Sequence, residues 1–495
     1  MHRNFSWSAV VCGFLLSSCS LYAQSPGGIR HQSFWFKGNF FSDSTKTVAL
    51  NFNPATSMGD ASKGIDMPGN IKDLRRATIF TVFQHPGLQQ DLPVWQMNGG
   101  FGDLLLSTRQ VSSKSGKMAM VFDSSKAGPA DANKPEAIIS TYVRRGVHGT
   151  SENESNKDIA IQFGNATYHT SPGQSPGLIA EFIVYETILK EKEIARIESY
   201  LAVKYGITLQ KDYVNSAGQT IWNLKNEALY SNNIAGIGRD DNSTLYQKQG
   251  TSCSAPGQLI IGANKIALSN SKNTSRLNDK DYLIWGDNAG DFTFKRNATG
   301  QSNIILCEKK WLMKSSGSTA NAISTELKIN TKALLPASYP KELFCLAIDR
   351  SGSGDFTPGN CSYVMPDSIS ADGVATFSKV QWDTDGSGKD VFSFGLKTML
   401  STDLTTSPGA AKLISFRLYP NPLTEDGHYT IAVTLDKPVD INVQVFDIHA
   451  HLVESKKAKG QATYLLSGNI NGAAGAYIVK LFTPGNEFTQ IVIKP

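Results

Sequence analysis

Beyond its first two dozen residues the chain lacks any run of about 18 consecutive apolar residues, the minimum for a membrane-spanning helix. Charge is also scarce: 18% of the 495 residues are Asp, Glu, Lys or Arg, and 48 basic against 43 acidic side chains leave a formal charge of +5. With no dense Lys/Arg run beside it, that balance argues against a nucleic-acid partner. Histidine is missing from residues 170–427 and Cys-x-x-Cys is missing throughout, which removes the common zinc ligand sets from that stretch. What is present is 40% hydrophobic residues, with 43 Gly and 20 Pro and no Gly at every third position. A disordered polymer and a collagen are thereby excluded, and two to four globular domains fit the length.

Residues 1–23 have the order of a secretory leader: basic His2 and Arg3, an apolar stretch at residues 9–16, and a small polar region ending at Ala23. Leu16-Ser17-Ser18-Cys19 also fits a lipobox, so a lipid on Cys19 is the competing reading. Export changes how the remaining cysteines are read. Cys253, Cys307, Cys345 and Cys361 form an even set, and in an exported chain that suggests disulfides. Three connectivities are open; the simplest pairs Cys345 with Cys361 across a Gly/Ser-rich turn and Cys253 with Cys307.

Short β-type runs at residues 34–36, 47–52, 77–83, 118–122 and 138–143, separated by Gly, Pro, Asn and Asp, indicate a sandwich. After the strand Leu178–Tyr185 the period changes to 3.6, with Ile194, Ile197, Leu201 and Tyr205 on one helical face. Glu191 and Glu193 suit the positive N-terminal end, and Gly206 reads as the C-cap. The helix is expected to close the first domain by packing this stripe on the sandwich. Residues 210–396 read as a second β-rich domain, 397–415 as a Ser/Thr/Pro/Gly linker, and 416–495 as a small antiparallel sandwich. In the last unit apolar residues alternate at Ile431, Val433 and Leu435, at Ile441, Val443 and Val445, and at Tyr477, Val479 and Leu481.

Three resemblances follow from these residues. Gly177 to Tyr185, then Tyr200-Leu201-Ala202-Val203-Lys204-Tyr205-Gly206-Ile207, resembles the end of a laminin-G-like, concanavalin A-type sandwich of Bacteroidetes secreted proteins, which implies that fold for residues 24–209. Lys190 departs from it, standing where a capping Ser is common. Residues 233–241, 282–288, Trp311 and 382–395 resemble an uncharacterised domain that follows such sandwiches. Leu418-Tyr419-Pro420-Asn421-Pro422 at the start, with Gly475, Tyr477 and Lys480 near the end, resembles the type A C-terminal sorting domain of the type IX secretion system, an Ig-like β-sandwich. That resemblance implies passage across the outer membrane, contact with the type IX secretion machinery, and a secreted or cell-surface destination without a transmembrane anchor. The fold class expected is therefore all-β: a jelly-roll sandwich, a β-rich domain and a C-terminal Ig-like sandwich.

Candidate sites are few. Asp383, Asp385, Ser387 and Asp390 set oxygen donors around glycines, as a calcium loop would, although Phe394 stands where an EF-hand has its bidentate Glu. The plain alternative is an Asx/Gly turn, and Asp349, Ser351, Ser353 and Asp355 form a weaker copy. Gly236-Ile237-Gly238 lacks a dinucleotide-site context and reads as a turn. His449 and His451 could present two imidazoles on one strand face. The glucanases of the concanavalin A-type fold carry Glu-x-Asp-x-x-Glu, which this chain lacks, and Glu181 and Glu186 are an odd number of residues apart, on opposite faces of a continuous strand. Trp35, Trp95, Tyr142 and Tyr168 are either sugar-stacking rings or core. No catalytic motif or cofactor site emerges. The leading expectation is an exported binding or adhesion protein, recognising a glycan or a protein; a polysaccharide hydrolase or lyase and a purely structural surface component are the alternatives.

Overall fold

The protein's structure, a computed structural model, describes residues 25–38, 48–57, 65–68, 71–85, 93–99, 104–107, 111–113, 122–123, 136–145, 159–164, 177–296, 304–332, 344–356, 360–397, 411–448, 451–484 and 486–495. The fold is all-β, with one α-helix, Glu191–Tyr205, among the described residues. The expected leader, Cys19, Tyr168 and His449 lie outside those residues.

Two antiparallel sheets form the first sandwich. One runs Val48–Leu50, Asn53–Ser57, Leu178–Tyr185, Arg76–His85, Glu136–Arg145, Phe122–Asp123, with Phe34–Phe36 also on Leu178–Tyr185. The other runs Ile65–Pro68, Ala160–Phe163, Pro93–Asn98, Leu104–Ser107, Val111–Ser113. Phe36, Phe83, Trp95, Leu106, Phe163 and Phe182 fill the space between them. The run at residues 47–52 is shorter than its apolar pattern suggests: Asn51 and Phe52 have φ of 45° and 64° and turn the chain into the next strand.

A second sandwich follows. Its larger sheet runs Leu245–Gln247, Asn232–Asp240, Tyr282–Asp287, Ile304–Ser316, Lys389–Lys397, Phe344–Asp349, Cys361–Val364; Phe294–Arg296 adds to Ile304–Ser316. The smaller runs Gln249–Gly250, Leu259–Ala263, Thr325–Asn330, Val374–Val380, Ser368–Ile369. Aromatic rings dominate this core: Trp311 stacks on Phe392 at 5.6 Å, and Phe344 on Phe394 at 5.6 Å. Gly236 and Gly238 are not in a turn. Both lie within Asn232–Asp240, where an added Cβ would come 2.4 Å from Ile284 Cδ1 and Tyr282 Cδ1, so glycine is what lets the neighbouring side chains cross the strand.

The helix joins these sandwiches. Ile197, Leu201 and Tyr205 are buried, as their spacing predicts, but so are Glu198, Ser199, Tyr200, Ala202 and Val203. A helix covered on one side would keep a polar face. This one lies between the outer faces of the two large sheets, in a single apolar cluster that includes Phe80, Ile139 and Tyr185 from the first and Ile234, Leu245, Tyr282 and Ile284 from the second. At its start the Glu193 carboxylate accepts from the backbone N–H of Lys190 at 2.7 Å, so the missing Ser is partly offset by the other half of a capping box. At its end Gly206 adopts φ 65°, and its carbonyl accepts from the Cys253 backbone N–H.

The last sheet runs Leu413–Tyr419, His428–Phe446, Gly475–Thr483, Asn486–Lys494, with Leu452–Asn469 on His428–Phe446. The strand His428–Phe446 serves two neighbours in turn: its first half pairs with Leu413–Tyr419, and residues 442–446 pair with Gly475–Thr483. All nine alternating apolar residues named above lie in this unit's own core. On the opposite face, Ala476 and Ile491 join the core of the second sandwich.

Candidate functional site

Buried carboxylates mark where an enzyme of this architecture would work, and here they are held by neighbouring donors, with Asp390 Oδ1 left unpartnered. The ladder between Leu178–Tyr185 and Arg76–His85 slips between Ile179 and Glu181. That bulge leaves Ile179, Phe182 and Val184 facing the sandwich core, and turns Ala180, Ile183 and Tyr185 toward the helix. Glu181, 1% exposed, also meets the helix layer and accepts from Trp35 Nε1 at 2.7 Å, Tyr200 OH at 2.9 Å, Tyr205 OH at 2.8 Å and Lys204 Nζ at 2.7 Å. Burial, then the charge of Glu181, pushes both tyrosines well above the usual phenol range, so they remain donors. Glu186, past the strand end, accepts instead from Ser33 Oγ and the backbone N–H groups of Lys72 and Asp73. The two glutamates share no cleft.

The second sandwich repeats this use of carboxylates. Asp240 accepts from the N–H and Oγ of Ser216, from Tyr282 OH and from Lys280. Burial alone would raise its pKa, but these donors, led by Lys280, hold it below the ordinary carboxylate value. Asp287 holds Asn233 Nδ2 at 2.8 Å and Lys309 Nζ at 3.0 Å, and that ammonium lies over the rings of Phe292 and Trp311. Asp349 collects Ser351, Ser353 and the Gly354 N–H, the Asx-type turn of the weaker calcium-like run.

The stronger calcium-like run is also closed on itself. Asp383 Oδ1 accepts from the Gly388 N–H at 2.6 Å, Asp385 Oδ1 from the Ser387 N–H at 3.2 Å, and Ser387 Oγ donates to the Lys389 carbonyl. Asp390 turns inward, where Oδ2 accepts from the Asp383 N–H and from Arg350 at 3.0 Å. Among the described residues no three His, Cys, Asp or Glu side chains converge as metal ligands. His451 pairs with Asp447 on the surface.

The cysteines correct the expected disulfides. Cys361 stands opposite Asp349 in its ladder, four residues along from Cys345, whose own partner is Gly395 on the other side. Four strand residues span about 13 Å, nearly twice the Cα separation of about 7 Å that a disulfide tolerates. Cys253 packs in the helix layer with its thiol on the Tyr205 carbonyl, whereas Cys307 packs in the core of the second sandwich. The structure joins none of the four in a disulfide. Burial pushes the Cys253 thiol up to about 12 and those of Cys307 and Cys361 to about 11, far from reactive thiolates.

The aromatic candidates divide. Trp95 is buried with its N–H on Thr81 Oγ1, Tyr142 is buried, and Trp35 is committed to Glu181. Burial withdraws Trp95 and Tyr142 from sugar stacking, and the Lys37 ammonium lies over the Trp35 ring at 3.8 Å.

An open groove lies on the second sandwich instead. It has a volume of about 930 Å³ and is formed by residues 264–268 and 272–276 with Lys328. Lys265, Lys272, Arg276 and Lys328 supply four positive charges, Ile266, Ala267 and Leu268 an aliphatic wall, and Leu268 is 98% exposed. The loop that carries them is held from beneath. Buried Asn273 donates to the Lys265 carbonyl at 2.8 Å and accepts from the Ser275 N–H, and Ser275 Oγ donates to the Ala263 carbonyl. No single motif announces the groove, but residues 242–278 contain Lys248, Lys265, Lys272 and Arg276 and no Asp or Glu. A sliding count of charge would have found what a whole-chain sum of +5 hides.

In the last unit, the Tyr419-Pro420-Asn421-Pro422 motif is a clamp on the final strand. Asn421 Nδ2 donates to the Ile491 carbonyl at 2.8 Å, its Oδ1 accepts from the Ile493 N–H at 3.0 Å, and the Leu423 N–H reaches the Ile493 carbonyl. Tyr477 OH caps the Ala473 carbonyl, and Lys480 pairs with Glu487 across the terminal hairpin. Residues 417–494 match the family model of the secretion system C-terminal sorting domain. The chain carries a type IX secretion sorting domain. It is thus an exported protein, secreted or attached to the cell surface, and its sorting domain implies contact with the type IX secretion machinery. No helix among the described residues is long and apolar enough to cross a membrane.

Upstream of the sorting domain, residues 193–387 match a domain of unknown function, DUF8202, whose limits take in most of the helix, the groove, and the second sandwich except its strand Lys389–Lys397. No curated protein sequence matches the chain. Among solved structures, a β-glucuronidase of Parabacteroides merdae is 14% identical over 34% of this chain and 27% of its own, with a TM-score of 0.14. Latent PorU of Porphyromonas gingivalis is 10% identical over 84% of this chain and 29% of its own, with a TM-score of 0.15. The chain thus spans about a quarter of the glucuronidase's length. Likenesses this distant carry neither a fold nor an activity to this protein.

Proposed function

We propose that this chain is a non-catalytic binding protein, delivered to the cell surface by its sorting domain, with a laminin-G-like first sandwich and a glycan-binding role. The fate of the buried carboxylates is the observation that carries the reading. Glu181, Asp240, Asp287 and Asp349 are each held by hydroxyls, amides or ammonium groups within a packed layer or turn. Glycoside hydrolysis by two carboxyls needs a pair about 5–10 Å apart across an open cleft. The concavity of the second sandwich is lined with lysines, arginine, amides and hydroxyls, groups that bind and orient a ligand. Deleting residues 416–495 from the chromosomal copy is expected to leave the protein inside the outer membrane, as judged by protease accessibility on intact cells. Surface display of that truncation at the normal level would sink the delivery half of the proposal; hydrolysis of a polysaccharide by the purified chain would sink the other half.

A further inference from the structure

We infer that the groove at residues 264–276 and Lys328 is a binding site for an anionic polysaccharide, a glycan bearing carboxylate or sulfate groups. This rests on the binding-protein reading and names its ligand class. Three observations point to a polyanion. The side chains of Lys265, Lys272 and Arg276 are in no ion pair among the described residues, and Lys328 has only Glu326 at 3.6 Å. A cluster of cations facing water repels itself unless a polyanion neutralises it, and the nearest acidic residues along the chain lie outside 242–278. The volume, about 930 Å³, is near the top of the range for small-molecule sites, which suits several linked sugar rings and is far larger than one inorganic anion needs.

The wall chemistry selects among polyanions. Leu268 is almost fully exposed beside Ile266 and Ala267, an aliphatic surface that suits the C–H face of a sugar ring. Asn264 and Thr274 add exposed amide and hydroxyl groups for ring hydroxyls. The lining has no aromatic residue, the platform on which single-stranded nucleic acids stack. Nor is it a sheet edge to which an acidic peptide could add as a strand. The ties made by Asn273 and Ser275 hold the loop before any ligand arrives, so little ordering is left to offset binding.

Binding of the full exported chain to immobilised polygalacturonate and chondroitin sulfate tests the inference, with dextran, polyglutamate and single-stranded DNA as comparisons. One or both anionic glycans should bind, with affinity falling steeply as salt rises, and which of them binds tells carboxylate from sulfate recognition. Reversing charge in K265E/K272E should weaken binding tenfold or more while the unfolding midpoint stays within a few degrees, because both side chains are exposed. Leu268→Asp should weaken it as well, which a purely electrostatic patch would not require beyond the effect of the added charge, and Leu268→Ser separates the two. If polyglutamate or DNA binds as tightly as the glycans, the inference fails, because the groove is then a general anion patch. Binding of neutral dextran alone, unmoved by K265E/K272E, overturns this inference and leaves the binding-protein reading standing. No glycan binding at all overturns both.

Discussion

Asp390 shows how one carboxylate can set a pH dependence. Its Oδ2 is held by Arg350 and the Asp383 N–H, but Oδ1 is buried without a partner. Burial pushes its pKa up to about 6, and the Asp383 amide and the Arg350 charge only partly oppose that. The folded chain therefore holds this proton more tightly than the unfolded chain, where Asp titrates near 3.9. Stability contributed by the group is fully present below about pH 4 and is lost as pH rises through about 6. The wild-type chain should lose about 2 kcal/mol relative to Asp390→Asn between pH 4 and pH 7, read from urea unfolding at both pH values. Parallel pH profiles for the two chains would show that Asp390 is not buried as an acid. Asp383, Asp385, Ser387 and Asp390 were legible in the sequence as a loop of oxygens; that the loop spends them on its own amides depends on backbone direction, which spacing alone does not carry.

At the scale of elements, the helix Glu191–Tyr205 was legible in its period and its C-cap, but its second face was not. Glu198, Ser199, Tyr200, Ala202 and Val203 lie off the Ile194, Ile197, Leu201 and Tyr205 stripe, yet all are buried because the helix has a sheet on either side. The Glu181 bulge is hidden for a similar reason, since period 2 assumes a continuous strand and a single inserted residue reverses every face after it. Gly206 ties these elements together. An added Cβ there would lie 2.1 Å from the Thr251 carbonyl oxygen, a backbone atom of the neighbouring sandwich, at a φ of +65°. Gly386 has a similar φ of +73° but nothing within 4 Å of such a Cβ. Gly206→Ala should thus cost clearly more than the roughly 1–2 kcal/mol of a left-handed non-glycine residue, while Gly386→Ala should stay near that figure. Equal losses in thermal or urea unfolding would mean that the contact of the helix end with Thr251 contributes nothing.

Across the whole molecule, the same helix turns two sandwiches into one stack of layers: sheet, sheet, helix, sheet, sheet. Sequence patterns name each sandwich because each has its own alternation, but they are silent on the surfaces that meet, since a residue buried between units looks like any other apolar residue. The cysteines make the same point, four of them legible as an even set yet distributed over separate cores and strands by the topology. One consequence concerns where the chain can be divided. A fragment ending at residue 209 keeps the helix but loses Ile234, Leu245, Tyr282 and Ile284, the apolar residues of the second large sheet that share its cluster. Tyr205 and Cys253 are separated by that cut as well, along with the Asn51 side chain and the Thr251 N–H that it accepts at 2.8 Å. Fragment 24–209 should therefore bind a hydrophobic dye, self-associate, and unfold at least several degrees below fragment 24–397, whose first sandwich and helix remain covered. A monomeric 24–209 fragment with the melting temperature of the longer one would show that the helix belongs to the first sandwich alone and that the second rests on it without stabilising it.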